Sequence, residues 1–210
     1  MKLYGYYRSS CSYRVRIVLN LKGIEVEHVP VHLVRGGGEQ FAPDFVAKNP
    51  MAQVPLLELD SGERLAQSVA IVEYLEETVP TPPLLPHEPI ARARVRALVE
   101  MVNSGIQPLQ NTRVLGELTN RGVDPGEWGR LFVRLGLEAI ERTAAASAGQ
   151  FLVGDALTLA DVYLVPQLYN GRRFGVDLSL FPTLLRVEAA CLALPAFDRA
   201  RPERQPDAEP

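Results

Sequence analysis

Between residues 79 and 86 the chain reads Val79-Pro80-Thr81-Pro82-Pro83-Leu84-Leu85-Pro86, four prolines in eight residues. Proline lacks an amide hydrogen and fixes φ, so neither a helix nor a central strand continues through such a stretch. It makes a semi-rigid joint, and what precedes and follows it must fold as separate pieces. The two sides differ in pattern. Before the joint, short strand-like runs alternate with helical periodicity; after it, everything is helical. The expected layout is residues 1–80 as a small α/β domain, 81–86 as a linker and 87–210 as an all-α domain, each of ordinary domain size. No internal repeat or low-complexity tract interrupts it.

Within the first domain the expected order is βαβαββα. Strands are expected over 2–6 and 25–31, and a helix over 11–22, stopped at Gly23. Val15, Val18, Leu19 and Leu21 give that helix one buried stripe, with Arg14 and Arg16 between them. Residues 32–40, with Gly36, Gly37 and Gly38, read as a mobile loop. A short helix over 41–48 closes at Asn49-Pro50, since a residue before proline avoids helical angles. Residues 54–59 and 64–66 flank the hairpin signal Asp60-Ser61-Gly62, and a helix over 68–78 follows with Ser68 as its cap. Beyond the linker, a long helix over 87–118 is expected to bend at Gly105 and Pro108. Further helices are expected over 124–147, over 158–172 behind the capping box of Thr158 and Asp161, and over 182–192. The tail, 195–210, is polar and proline-rich.

Composition then narrows the function classes. With 47% hydrophobic and 22% charged residues the chain is not a disordered polymer. A formal charge of −3 offers no basic field for nucleic acid. No run approaches the roughly 20 apolar residues of a membrane span. Cys11 and Cys191 make no disulfide framework, and Arg8 interrupts any export signal, so a soluble, cytoplasmic protein is expected. His28, His32 and His87 lack ligand spacing, so no metal site is expected. The 22 basic residues comprise 19 Arg and only Lys2, Lys22 and Lys48. Most of these arginines, such as Arg92, Arg94 and Arg96, read as surface charge, but the guanidinium fork also grips carboxylates bidentately.

Three segments carry candidate chemistry. Arg8-Ser9-Ser10-Cys11-Ser12-Tyr13-Arg14 lies where the first strand meets the first helix. Free N–H groups and the positive helix end gather there and favour a thiolate. Cys11 is a candidate reactive thiol, without a Cys-x-x-Cys partner because Arg14 occupies that position. Alternatively the hydroxyls stabilise a ligand's thiolate, and the plain structural reading is N-capping by serine. Val54-Pro55 is compatible with a cis bond that leaves the Val54 backbone open to an extended peptide. Gln67-Ser68 begins the third helix, whose N–H groups suit a carboxylate. In a thioredoxin-like sheet all three line one side.

These residues, with Asn49-Pro50, Ile106-Gln107-Pro108-Leu109-Gln110-Asn111 and the run from Arg172 through Arg173 to Leu178, resemble the zeta class of glutathione transferases, the class of the maleylacetoacetate isomerases. The resemblance extends to the tail, Arg204-Gln205-Pro206-Asp207. Tyr13 stands where that class often has Trp. The resemblance implies a glutathione transferase fold, a thioredoxin-like N-terminal domain plus an all-α C-terminal domain, and a homodimer that binds glutathione. It implies that Ser9, Ser10 and Cys11 surround the glutathione sulfur. Val54, with Pro55, pairs with the cysteinyl part, Gln67 and Ser68 hold the γ-glutamyl end, and Gln40, Gln107 and Asn111 make further contacts. Asp161 matches a structural capping residue. The implied reaction is thiolate-assisted cis–trans isomerisation of an unsaturated dicarboxylic keto acid. Arg8 and Arg173 are the candidate cations for enolate and carboxylates. Arg113 departs from the pattern: some relatives carry an uncharged residue there, and a third cation suits the smaller maleylpyruvate. Alternatives are a monothiol glutaredoxin-like enzyme using Cys11 and a glutathione-binding protein without turnover.

Overall fold

The computed structural model describes residues 1–209, in two units. The first joins Met1–Pro82 to the segment from Leu194 onward; the second is Pro83–Ala193.

In the first unit, β1 (Lys2–Gly5) leads into α1 (Ser10–Leu21), and β2 (Glu27–Pro30) returns parallel to β1. After the short helix α2 (Pro43–Val46), β3 (Leu56–Glu58) pairs antiparallel with β1, and β4 (Arg64–Ala66) with β3. The sheet order is β2-β1-β3-β4. Helix α3 (Ser68–Thr78) packs beside α1, and Ile17, Val18, Leu57, Ile71 and Leu75 close the core between helices and sheet. The segment expected as a mobile loop carries two short 3-10 turns, Arg35–Gly37 and Glu39–Phe41. Gly36, Gly37 and Gly38 all take positive φ, and His32 Nδ1 accepts the N–H groups of Val34 (3.2 Å) and Arg35 (2.8 Å).

Two expectations for this unit are corrected. The tail does not stay with the helical domain: α9 (Pro195–Ala200) packs along α1. Its Phe197 and Ala200 are fully buried, which is the apolar gain that holds it there. Helix α1 is consequently enclosed on nearly all sides, and Arg14 and Arg16 are buried. A buried guanidinium needs its donors satisfied. Arg16 donates to the carbonyls of Ala200 (3.0 Å), Tyr6 (3.4 Å) and Tyr7 (3.0 Å). At the far end of α1, Lys22 Nζ donates to the carbonyls of Val79 (2.6 Å) and Pro82 (3.1 Å) and pairs with Glu76 at 2.7 Å, tying down the start of the proline segment.

The second unit is helical. The expected long helix divides into α4 (Pro89–Asn103), a 3-10 turn Gln107–Gln110 and α5 (Thr112–Asn120). Pro108 has no N–H to continue the ladder, and Asn111 caps a fresh helix by accepting the Arg113 N–H at 3.0 Å. Helices α6 (Pro125–Ala144), α7 (Leu159–Arg173) and α8 (Pro182–Leu192) complete it. Val95 and Val99, Val133 and Leu137, Leu164 and Leu168, and Leu184 and Val187 form its core. No helix among the described residues is long and apolar enough to cross a membrane.

Candidate functional site

The strand register gathers the candidate segments of the first unit. Tyr4 pairs with Leu56, and Leu56 with Ala66. The turn after β1, the Val54 peptide before β3 and Gln67-Ser68 after β4 therefore share one end of the sheet.

At the turn after β1, the Ser9 N–H donates to the Tyr6 carbonyl at 3.0 Å. Ser9 is the N-cap of α1, its Oγ accepting the Ser12 N–H at 3.2 Å. A serine hydroxyl that accepts can also donate, so capping leaves its proton available. The first turn of α1 carries no acidic residue to offset its positive end. Ser9 and Cys11 are half-buried and Ser10 is buried. Arg8 leans on Tyr6: its Nε and Nη2 donate to the phenol oxygen at 3.2 and 3.0 Å, and its guanidinium carbon lies 5.3 Å from the Tyr7 ring centre. Burial raises the Tyr6 phenol above its ordinary pKa, with Arg8 opposing, so Tyr6 stays neutral near pH 7.

The Val54–Pro55 bond is cis, and β3 begins only at Leu56, so the buried Val54 lies outside the ladder. Asn49 shapes the approach: its Nδ2 donates to the Gln53 carbonyl at 2.7 Å and its Oδ1 accepts the Met51 N–H at 3.2 Å.

The start of α3 differs from the expected cap. Ser68 is its first helical residue, and Gln67 holds the N-cap position with φ 73° and no side-chain capping bond. Positive φ in a non-glycine residue is uncommon and costs on the order of 1–3 kcal/mol. The Gln67 side chain is exposed. The buried Ser68 Oγ accepts from Arg14 Nη1 at 3.2 Å. A helix start without a side-chain cap or acidic first turn, with a guanidinium bonded to its first hydroxyl, has the chemistry that suits an anion. Arg14 thus adjoins the candidate residue Ser68, a placement that sequence reasoning did not single out. Its only signal was its place between Tyr13 and Val15 in α1.

Gln40 is buried at 3% exposure, its Nε2 donating to the Leu33 carbonyl at 3.4 Å. A Cβ at Gly38 would meet that amide at 2.5 Å, so only glycine leaves Gln40 its place.

The remaining candidates belong to the second unit. Gln107 opens the 3-10 turn that Asn111 closes, and the Asn111 oxygen is engaged in capping α5. Arg113 is exposed in the first turn of α5, beside a shallow groove with Val114, Leu118 and Arg121. Arg173 is exposed as the last residue of α7, donating to Asn170 Oδ1 at 3.3 Å, its guanidinium carbon 6.0 Å from the Tyr169 ring centre. Its neighbour Arg172 is instead committed to a bidentate pair with the buried Glu188. Trp128 donates its indole N–H to the Leu109 carbonyl at 3.0 Å and packs on Phe132. Asp161 is fully buried. It accepts the N–H groups of Thr158 and Leu152, both at 2.8 Å.

Family models agree with this architecture. The glutathione S-transferase N-terminal domain matches residues 1–77, and the glutathione S-transferase C-terminal domain matches residues 134–195. The maleylacetoacetate isomerase of Rattus norvegicus is 49% identical over 205 residues, covering 98% of this chain and 94% of its own. A crystal structure of maleylacetoacetate isomerase from Anaeromyxobacter dehalogenans with bound glutathione is 52% identical, with TM-score 0.90 and coverage of 99% and 97%. The holo structure of a bacterial maleylpyruvate isomerase, described as a zeta-class glutathione S-transferase, is 44% identical, with TM-score 0.95 and full coverage of both chains. With the fold, the turn after β1 and the relatives in agreement, this chain belongs to the zeta class of the glutathione S-transferase family.

Proposed function

We propose that the chain is a glutathione-dependent cis–trans isomerase that converts 4-maleylacetoacetate to 4-fumarylacetoacetate in tyrosine and phenylalanine breakdown. The observation that carries the reading is the shared sheet end, where the α1 start, the Val54 peptide and the α3 start meet. These residues fit glutathione part by part. The α3 start with Arg14 suits the γ-glutamyl carboxylate, the Val54 backbone an extended peptide, and the Ser9 hydroxyl a thiolate. Bound glutathione supplies a thiolate that adds reversibly to the carbon–carbon double bond, letting it rotate before expulsion.

The chain's own residues hold charge. Lowering a thiol pKa by about two units is worth about 2.7 kcal/mol. A hydrogen bond donated by the Ser9 hydroxyl to the thiolate, about 1.5–3 kcal/mol, and the α1 terminus, about 0.3–1 kcal/mol, supply that amount. Ser10 and Cys11 flank the same first turn. Arg8 stabilises the enolate oxygen, and Arg173 and Arg113 hold substrate carboxylates. Gln40, Gln107 and Asn111 complete the glutathione contacts, Gln40 by fixing the loop through Leu33.

The test is a spectrophotometric assay with maleylacetoacetate, with and without glutathione. Glutathione-dependent turnover is expected, with Ser9→Ala lowering it about ten- to a hundredfold, the share assigned to that hydroxyl, while Cys11→Ala retains most of it. Loss in Cys11→Ala instead would move the chemistry to a monothiol redox reading. Glutathione retention without turnover would leave a binding protein. Maleylpyruvate is the alternative substrate, suited by a third cation if Arg113 faces the bound acid, and the same assay run with maleylpyruvate ranks the two. The reading extends to a homodimer in the cytoplasm, and sedimentation velocity checks the dimer.

A further inference from the structure

The segment that leaves the second unit and returns to the first touches three of the stretches that carry the candidate glutathione residues. The Asp207 carboxylate accepts the Tyr7 N–H at 3.0 Å, two residues before Ser9. Glu209 pairs with Arg35 at 2.6 Å and with His32 Nε2 at 3.4 Å, on the loop that leads to Gln40. Between them, Ala208 packs against the cluster of Tyr6, Tyr7, Val31, Phe45, Val54 and Leu56. The segment is itself folded onto α9, with Gln205 Nε2 donating to the carbonyls of Arg199 (2.9 Å) and Arg201 (2.8 Å).

The hold on the turn after β1 is two-sided. Asp207 takes the Tyr7 N–H, while Arg16, fixed by the Ala200 carbonyl, takes the carbonyls of Tyr6 and Tyr7. The Tyr6 carbonyl also receives the Ser9 N–H. The backbone that leads to the Ser9 hydroxyl is thus held from one side by Arg16, nine and ten residues on, and from the other by Asp207, 200 residues on.

We infer that residues 205–209 brace the glutathione site, with Asp207 a positioning residue for Ser9 that acts through the Tyr7 peptide. The inference rests on the glutathione reading above. The bond that matters is acceptance of one N–H, so the oxygen counts and the charge does not.

The test compares wild-type full-length protein with Asp207→Ala and Asp207→Asn. Calorimetry with glutathione alone, hydrogen exchange at the Tyr7 to Ser12 amides, and the thiol pKa of bound glutathione from its ultraviolet absorbance are the readouts. Loss of one net hydrogen bond predicts about fivefold weaker glutathione binding in Asp207→Ala. Faster exchange over the turn and a raised thiol pKa accompany it, and Asp207→Asn restores all three. Wild-type exchange and affinity in Asp207→Ala, or equal damage in Asp207→Asn, overturns the inference. If Asp207→Ala does not fold, Asp207→Leu, which also lacks an acceptor oxygen, takes its place in the same comparison. Wild-type protein that binds no glutathione overturns the functional reading instead, and the exchange data still decide whether residue 207 braces the turn.

Discussion

Helix α1 gives three basic residues three different tasks. Arg14 meets Ser68 at the start of α3, Arg16 ties carbonyls together, and Lys22 neutralises Glu76. Lys22 has its carboxylate partner in a nearly dry setting, its side chain fully buried and that of Glu76 at 9% exposure. Replacing Lys22 by Met removes the buried cation beside that carboxylate, and a loss of about 3–5 kcal/mol is expected in urea denaturation; Lys22→Met with Glu76→Leu recovers most of it. The two thiols differ as sharply. Cys191 is fully buried, and burial, with Asp161 and Glu188 nearby, pushes its pKa far up, whereas Cys11 is half-buried at a helix start. A thiol reagent is expected to titrate one cysteine in the native protein and both in denaturant. Reaction of Cys191 under native conditions would contradict that burial. The serines and Cys11 were legible in sequence because capping chemistry is local. Arg14 and Arg16 were not, because helical periodicity assigns charge to an open face, and the element that closes that face lies some 180 residues further on.

Elements here are started by carboxylates from two sources. Glu88 caps α4 from within, accepting the N–H groups of Ile90 (2.9 Å) and Ala91 (2.6 Å). Those bonds hold its pKa below the ordinary value. A lowered carboxyl contributes stability that is present above its unfolded pKa and disappears as pH falls through the folded one. Glu88→Gln is therefore expected to flatten the acid side of the stability–pH curve, measured by urea denaturation at a series of pH values. Helix α8 has no cap of its own at Phe181. Glu141 of α6 supplies both oxygens, accepting the N–H groups of Thr183 and Leu184 at 3.0 Å each. Glu141→Ala is expected to cost about 1–2 kcal/mol, and unchanged thermal unfolding would contradict this. Local caps such as Thr158 with Asp161 could be read in sequence; a cap donated across 40 residues could not. The same limit applied to 87–118, where helical periodicity outweighed Pro108 and the capping strength of Asn111.

At the scale of the molecule, the proline joint marked the boundary between α/β and helical patterns, but nothing in the polar tail announced its return to the first unit. The return depends on three apolar side chains, Ala196, Phe197 and Ala200, against α1. Phe197→Ala is expected to cost about 3–5 kcal/mol and to speed hydrogen exchange along α1 more than along α4. Equal acceleration in both helices would show that the loss is not confined to the first unit. The discontinuity also sets an order of events during synthesis. All of Met1–Pro82 emerges from the ribosome before Leu194 is made, and translating the intervening 83–193 takes on the order of 10 s. Through that interval α1 has one flank bare, a surface that a nascent-chain chaperone would cover. The half of the protein that is made first is completed last, and Arg16 waits for the Ala200 carbonyl until translation is nearly over.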